Sequence, residues 1–132
     1  MININDLVGV PFVDEGRSLD GFDCYGLVRE VYKRFGVEIP EVNVSVYNCK
    51  RAQEEINEAA SKEWRKINEL QIPCVLLTTP HAGFAQHIAC YIGSNKLIHT
   101  NINIGVLVEP LYKWKNKILG YYQYGDYTFP NS

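Results

Sequence analysis

The chain has 132 residues, enough to close one hydrophobic core without disulfides or metal, so we expect a single domain over residues 1–132. Its formal net charge of −2 provides no broad basic field for nucleic acid or an anionic membrane, and we expect neither as a partner. No apolar run approaches the length of a membrane span, and the first residues lack the basic and apolar regions of a secretory signal. The four cysteines occur singly, which predicts free thiols rather than a zinc site.

The first half of the chain predicts helices. Residues 3–9 are expected to form a short helix, followed by a loop with glycines at both ends, 16–21. Apolar residues then recur at helical spacing over residues 24–35, with Asp23 suited to cap the start and Gly36 to follow the end. A further helix is expected over residues 50–61. The segment 64–67 fits either a helix or a strand.

The second half predicts strands joined by short turns. The expected strands cover residues 74–79, 86–92, 96–100, 106–109 and 117–124. Their connections leave no room for crossover helices, so the sheet is expected to be antiparallel. Helices followed by an antiparallel sheet give an α+β fold.

Cys24 falls in the first turn of the predicted helix 24–35. Unpaired N–H groups and the helix dipole favour negative charge there, so we expect the pKa of this thiol to be lowered. The thiolate is the nucleophilic form of cysteine. The alternative is a small buried residue without a chemical task, which is the common state of a free cysteine.

Two histidines, His87 and His99, lie on consecutive predicted strands. A two- or four-residue turn would put them on opposite faces of the hairpin, whereas a three-residue loop, 93–95, puts them diagonally on one face. Gly93 or Asn95 can adopt the left-handed conformation that such a loop needs. A Cys–His–His relay is then geometrically available. Histidines without a task and a metal site remain alternatives, although no acidic ligand lies nearby in sequence.

Three short motifs carry a resemblance to a known family: Asp23-Cys24-x-Gly26-Leu27-Val28, His87-x-x-x-Tyr91-Ile92-Gly93 and Leu97-Ile98-His99. Together they resemble the NlpC family of papain-like cysteine peptidases, which cut bacterial cell-wall peptides. The resemblance implies a Cys-bearing helix packed on the antiparallel sheet. It also implies Cys24 as nucleophile, His87 as base and His99 as the group that orients His87, with no metal or cofactor.

Around this relay, the backbone N–H of Cys24 is the expected oxyanion donor. The family usually has a tyrosine donor where this chain has Phe12. Further candidates for the substrate groove are Asp23, Tyr25, Tyr47 and His81.

The resemblance implies peptidoglycan stem peptides as substrate, often cut between D-γ-glutamate and a diamino acid. The segments 105–111 and 114–122 are similar to a subgroup carried on phage and prophage tails. A protein made in the cytoplasm, held by tail proteins and acting on the cell wall is therefore expected. A tail structural or binding module with weak catalysis, and a related thiol amidase or acyltransferase, are the alternatives.

Overall fold

A computed structural model describes residues 3–39, 64–79 and 87–125 of the chain. The predicted helix 50–61 and the groove candidates Tyr47 and His81 lie outside these residues. The elements in chain order are β1 (Arg17–Ser18), β2 (Gly21–Phe22), α1 (Cys24–Arg34), β3 (Trp64–Ile67), β4 (Cys74–Thr78), β5 (His87–Gly93), β6 (Lys96–Asn101), β7 (Gly105–Pro110), a 3-10 helix (Leu111–Lys117) and β8 (Ile118–Tyr124).

Helix α1 begins and ends close to where its local sequence predicts. The Asp23 side chain accepts a hydrogen bond from the backbone N–H of Gly26, as an N-cap residue does. Gly36 follows the helix with a φ of 86°, a left-handed conformation that glycine adopts without steric cost. Lys33 and Arg34 occupy the last turn, where cations complement the helix dipole.

The predicted helix over residues 3–9 is wrong. Residues 5–9 form turns, and Gly9 has a φ of 90°. The backbone N–H of Gly9 instead donates to the carbonyl of Val106, and the N–H of Val106 donates to the carbonyl of Val10. Pairing with the exposed edge of β7 therefore takes up the backbone groups that a helix would have used internally.

Six of the strands form one antiparallel sheet in the order β3-β8-β4-β5-β6-β7. The segment 64–67, left open by the sequence, is a strand because it pairs along its whole length with β8, from Trp64–Tyr124 to Ile67–Tyr121. Strands β4, β5, β6 and β7 are neighbours in the sheet in the same order as in the sequence. Strand β8 lies between β3 and β4.

Both faces of the sheet are covered. Helix α1 buries Leu27, Val28, Val31 and Tyr32 in a core shared with the sheet residues of one face. A smaller core on the other face includes Leu76, Ala89, Leu97 and, from the 3-10 helix, Trp114. The α+β prediction, with the Cys-bearing helix packed on an antiparallel sheet, is confirmed.

Candidate active site

Cys24 is the first residue of α1 and is 6% exposed. The capping carboxylate before it is fixed on both sides: Asp23 Oδ1 accepts from the Gly26 N–H at 2.7 Å and from Arg17 Nη1 at 2.6 Å. The Arg17 guanidinium also lies 5.8 Å from the centre of the Tyr25 ring. This ion pair holds the start of the helix in place, so the position of the thiol is set by neighbours on both sides.

A close approach of the β1–β2 hairpin to the helix explains the glycine two residues after Cys24. A Cβ atom on Gly26 would overlap the carbonyl oxygen of Gly16 and would also crowd Asp23 Oδ1. The Gly16 carbonyl accepts from the backbone N–H of Asp23 and from Arg17 Nη1. Gly26 is thus required by packing, because the hairpin that orients Asp23 rests directly on it.

The two histidines of the β5–β6 hairpin share one face. His87 Nε2 lies 3.2 Å from His99 Nδ1, and their ring centres are 5.3 Å apart in an edge-on arrangement. The register pairs Cys90 with Ile98 and Tyr91 with Leu97, as the three-residue-loop prediction requires. The prediction that both rings lie on one face is confirmed.

The turn itself differs from the predicted three-residue loop. Ser94 and Asn95 both have positive φ angles, 54° and 58°, as in a two-residue type I′ turn. Gly93 then pairs with Lys96, so Ile92 is an extra residue between two paired positions. This β-bulge supplies the shift of one residue that the turn alone would not, and it returns His99 to the face of His87.

The sequence reasoning missed two residues of the site, Glu109 and Trp114. Glu109 Oε1 lies 2.6 Å from His99 Nε2, and the Trp114 ring centre lies 4.8 Å from that of His99 and 6.1 Å from that of His87. Trp114 is 8% exposed and packs against both histidine rings. The sequence could have indicated Glu109 once the β6–β7 register was known. Leu107 opposes His99, and Glu109 lies two residues further along β7 on the same face.

The expectation of a lowered pKa for Cys24 is wrong. Burial, and secondarily the nearby Asp23 charge, raises the pKa of the Cys24 thiol to about 12. The backbone N–H groups of Ile88 on β5 and of Tyr25 and Cys24 at the helix start lower the pKa of the thiol, but they do not outweigh burial. Desolvation of a thiolate outweighs the helix dipole here, so the resting group is a neutral thiol.

Both histidines are neutral at neutral pH. Burial, and secondarily the neighbouring His99, lowers the pKa of His87 to about 3, although its side chain is only half-buried. Burial also lowers the pKa of His99, while the hydrogen bond and charge of Glu109 oppose that shift. Neutral rings each carry one N–H and one lone pair, which is the state that a proton acceptor requires.

Helix and sheet meet where the backbone amide of Ile88, the residue after His87, acts on the Cys24 sulfur. Over residues 3–39, 64–79 and 87–125, no hydrogen bond links that sulfur to the His87 ring. The Nε2 atom of His87 is engaged by His99, which leaves Nδ1 as the nitrogen able to receive a proton. Catalytic hydrogen bonds are often long in unliganded sites and shorten when substrate binds.

Three further predicted site residues, Phe12, Tyr25 and Asp23, lie near the start of α1. Phe12 is half-buried and forms an isolated parallel bridge with Phe22, so it stands close to the start of α1 without offering a hydroxyl. Tyr25 is half-buried beneath the Arg17 guanidinium. Asp23 is 1% exposed, and its Oδ2 atom has no hydrogen-bond partner within residues 3–39, 64–79 and 87–125. The groove roles of these side chains stay predictions.

Among the described residues, no group of three His, Cys, Asp or Glu side chains is arranged to hold a metal ion. None of the helices within the same ranges has the length and apolar character needed to span a bilayer.

A model of the NlpC/P60 family matches residues 9–123, which include the Cys24 helix, strands β4 to β7 and all of β8 but its last residue. The chain belongs to the NlpC/P60 family. The resemblance noted from its three motifs is thereby confirmed at the level of the family. The phage-tail subgroup stays a prediction.

Curated relatives of this NlpC/P60 chain include "Murein DD-endopeptidase MepS/Murein LD-carboxypeptidase" of Escherichia coli K12, 28% identical over 115 residues, which are 85% of this chain and 54% of that protein. "Peptidoglycan endopeptidase RipB" of Mycobacterium tuberculosis is 31% identical over 102 residues, 76% of this chain and 36% of RipB. "Gamma-D-glutamyl-L-lysine dipeptidyl-peptidase" of Bacillus cereus is 29% identical over 93 residues, 70% of this chain and 25% of that protein. The chain thus spans about half or less of the length of these relatives.

Solved NlpC/P60 structures share the fold. The NlpC/p60 domain of the peptidoglycan hydrolase SagA superposes with a TM-score of 0.58 at 20% identity, covering 89% of each chain. An NLP/P60 lipoprotein-like protein of Staphylococcus aureus gives a TM-score of 0.59 at 22% identity, covering 92% of this chain and 38% of that one. At these identities the likeness concerns the architecture of helix and sheet.

Proposed function

We propose that this chain is a cysteine peptidase that hydrolyses peptide bonds in the stem peptides of peptidoglycan. The observation that carries the proposal is the pairing of His87 Nε2 with His99 Nδ1 at 3.2 Å. The backbone N–H of Ile88, the residue after His87, acts on the Cys24 sulfur, so the pair lies on the strand next to the thiol. A nucleophile, a neutral base and a group that orients the base are the parts of a catalytic triad. Relatives named as peptidoglycan endopeptidases support the substrate class.

The reaction uses Cys24 and His87 in two steps. The Cys24 thiol gives its proton to His87 Nδ1 while the sulfur attacks the peptide carbonyl carbon. The oxyanion that forms accepts a hydrogen bond from the backbone N–H of Cys24, which has no partner within the helix. His87 then protonates the leaving amine as the C–N bond breaks, and a thioester remains on Cys24. Water, losing a proton to His87, hydrolyses the thioester and restores the thiol.

Because the resting thiol has a pKa of about 12 and His87 one of about 3, the thiolate forms only within the reaction step. His87 therefore acts as a general base on a neutral thiol, and the reaction does not start from a standing thiolate–imidazolium pair. Phe12 provides no hydroxyl toward the oxyanion, and loss of one such donor elsewhere slows catalysis by about 10²–10³-fold. A slow enzyme is the expected consequence.

For the bond that is cut, we propose the link between D-γ-glutamate and the diamino acid. The relative named as a γ-D-glutamyl-L-lysine dipeptidyl-peptidase supports this choice, whereas the relative named as a DD-endopeptidase points to a different bond. We also propose that the protein acts on the cell wall from a phage or prophage tail. The support for that location is the sequence of segments 105–111 and 114–122.

A weakly catalytic tail module of the same fold is the second candidate, and Phe12 in place of a hydroxyl donor is the observation that favours it. A thiol amidase or acyltransferase would use the same relay on another amide or ester. Mass analysis of the released fragments separates this last reaction from peptidase activity, because it identifies the bond that was broken.

The test is the release of new amino groups from purified peptidoglycan by the wild-type protein. We expect release that is abolished in Cys24→Ala and retained in Cys90→Ala, a matched change at a fully buried cysteine outside the relay. Circular dichroism establishes that both variants are folded. If the folded wild type releases no amines but still binds muropeptides, the protein is a binding module.

A further inference from the structure

A chain of hydrogen bonds crosses three neighbouring strands and ends on a carboxylate. It runs from His87 on β5 to His99 on β6 at 3.2 Å, and from His99 to Glu109 on β7 at 2.6 Å. His99 is 4% exposed, and the Glu109 side chain is 22% exposed. The second contact is short even for a hydrogen bond to a charged oxygen, which marks it as the stronger of the two.

The proton positions along this chain follow from the chemistry of the groups. An ionised carboxylate only accepts hydrogen bonds, so the Nε2 atom of His99 must carry the proton. Neutral His99 has one N–H, and its Nδ1 atom therefore accepts from the Nε2–H of His87. Neutral His87 has then used its only N–H, and its lone pair stands on Nδ1. One carboxylate thus fixes the tautomer of two rings in succession.

We propose that Glu109 is a positioning residue that acts through His99 to keep the lone pair of His87 on Nδ1, the nitrogen left to receive a proton. This inference rests on the proposed function of His87 as the base. When His87 takes the thiol proton it becomes a cation, and the Glu109 carboxylate at the other end of the chain stabilises that charge.

The charges around the two rings leave this task to Glu109. Apart from Glu109, the polar partner of each ring among the residues that the structure describes is the other histidine. Trp114, which packs against both rings, has Lys117 Nζ 5.2 Å from its ring centre, so this cation lies against the tryptophan. Asp23, on the helix side, acts on Cys24. Among these described groups, Glu109 is the anion in direct contact with the relay.

The proton arrangement is tested without any assay of activity, by nitrogen-15 NMR of the imidazole rings. In the wild type we expect both His87 and His99 as the tautomer with the proton on Nε2. In Glu109→Ala we expect a mixture of tautomers at both rings. The control is Glu69→Gln, because Glu69 is exposed and follows β3 at the opposite edge of the sheet, and we expect no change of tautomer in this variant. Unchanged His87 and His99 tautomers in folded Glu109→Ala would overturn the proposal.

Kinetics on peptidoglycan fragments supply the second arm. We expect kcat to fall about 10- to 100-fold in Glu109→Ala, less than the roughly 10⁴-fold loss seen when the direct partner of a catalytic histidine imposes the wrong tautomer. Glu109→Gln keeps an accepting oxygen and should recover part of this loss, with KM unchanged in both variants. A merely structural role would lower the folded fraction without altering the tautomers.

The two arms separate this inference from the proposed function. If the wild type cleaves no peptidoglycan while its rings show the expected tautomers and lose them in Glu109→Ala, the peptidase proposal fails and the assignment of proton positions stands. If the wild type cleaves peptidoglycan and Glu109→Ala retains full kcat and fixed tautomers, the role of Glu109 fails alone.

Discussion

His87 Nε2 and His99 Nδ1 lie 3.2 Å apart even though the turn between their strands has two residues, Ser94 and Asn95. A regular hairpin with such a turn would place the two rings on opposite faces of the sheet. The bulge at Ile92 corrects the register, and Gly93, with a φ of 92°, lets the strand enter the turn. The relay therefore depends on a local irregularity of the backbone.

Replacing Gly93 should weaken this hairpin. In Gly93→Ala the new methyl group would sit in a left-handed backbone conformation and 3.0 Å from Ile72 Cδ1, so we expect a loss of about 1–2 kcal/mol in the free energy of unfolding. Gly120→Ala, a strand position where the added atom meets ordinary contacts, is the matched control and should change stability little. Urea denaturation measures both, and equal stability of the two variants would contradict the role given to Gly93.

The reactivity of Cys24 should rise steeply with pH. Because its pKa is raised to about 12, the thiolate fraction, and with it the rate of alkylation by iodoacetamide, should increase about tenfold per pH unit between about pH 7 and pH 9. Asp23→Asn removes the neighbouring charge and keeps an oxygen for the helix cap, so it should speed alkylation at each pH. Mass spectrometry of the Cys24 peptide follows the rate. A flat profile through neutral pH would indicate a preformed thiolate instead.

The fold should lose stability in acid partly through His87. Its folded pKa of about 3 lies below the ordinary value of 6.5, so the unfolded chain binds this proton first as the pH falls. The contribution is complete above about pH 6.5 and is lost toward pH 3. Allowing for partial exposure, we expect wild type to lose about 1 kcal/mol more than His87→Gln between about pH 7 and pH 5. Equal losses in urea titrations of the two proteins would refute this assignment.

A buried polar network joins the helix to the sheet beneath it. Tyr32 donates its hydroxyl to Gln123 Oε1 at 2.6 Å, and Gln123 Nε2 donates to the carbonyl of Pro73 at 2.7 Å and to Gln71 Oε1 at 2.9 Å. Gln123 is fully buried. In Gln123→Leu these partners lose their hydrogen bonds, and we expect a loss of about 2 kcal/mol in the free energy of unfolding.

Tyr32→Phe is the milder control for this network, because Gln123 Oε1 still accepts from the Tyr124 N–H at 2.9 Å. Its loss should be about 1 kcal/mol. Chemical denaturation ranks the two variants, and a Gln123→Leu protein as stable as wild type would show that the network adds specificity without stability.

The sequence predicts what local chemistry determines. Asp23, the apolar spacing of α1 and Gly36 specify the helix locally, and the strands with short connections from 74 onward specify the antiparallel sheet. Counting residues put His87 and His99 on one face only for a three-residue loop. The structure reaches the same face with a two-residue turn and a bulge at Ile92 that leaves no distinctive trace in the sequence.

What the sequence did not predict depends on contacts between distant segments. The turns at residues 5–9 replace a helix because Gly9 and Val10 pair with Val106. Glu109 reaches His99 only through a second register, that of β6 with β7. The raised pKa of Cys24 reflects how completely the sheet buries the start of the helix, which outweighs the local dipole.

A mapped digest of one defined muropeptide by wild type and by Cys24→Ala tests the peptidase activity most directly. Mass spectrometry should find a single new amine in the wild-type digest, at the diamino acid released from the D-γ-glutamyl bond, and intact substrate with Cys24→Ala. Intact substrate after prolonged incubation with folded wild type, or cleavage that persists in Cys24→Ala, would contradict a cysteine peptidase centred on Cys24, His87 and His99.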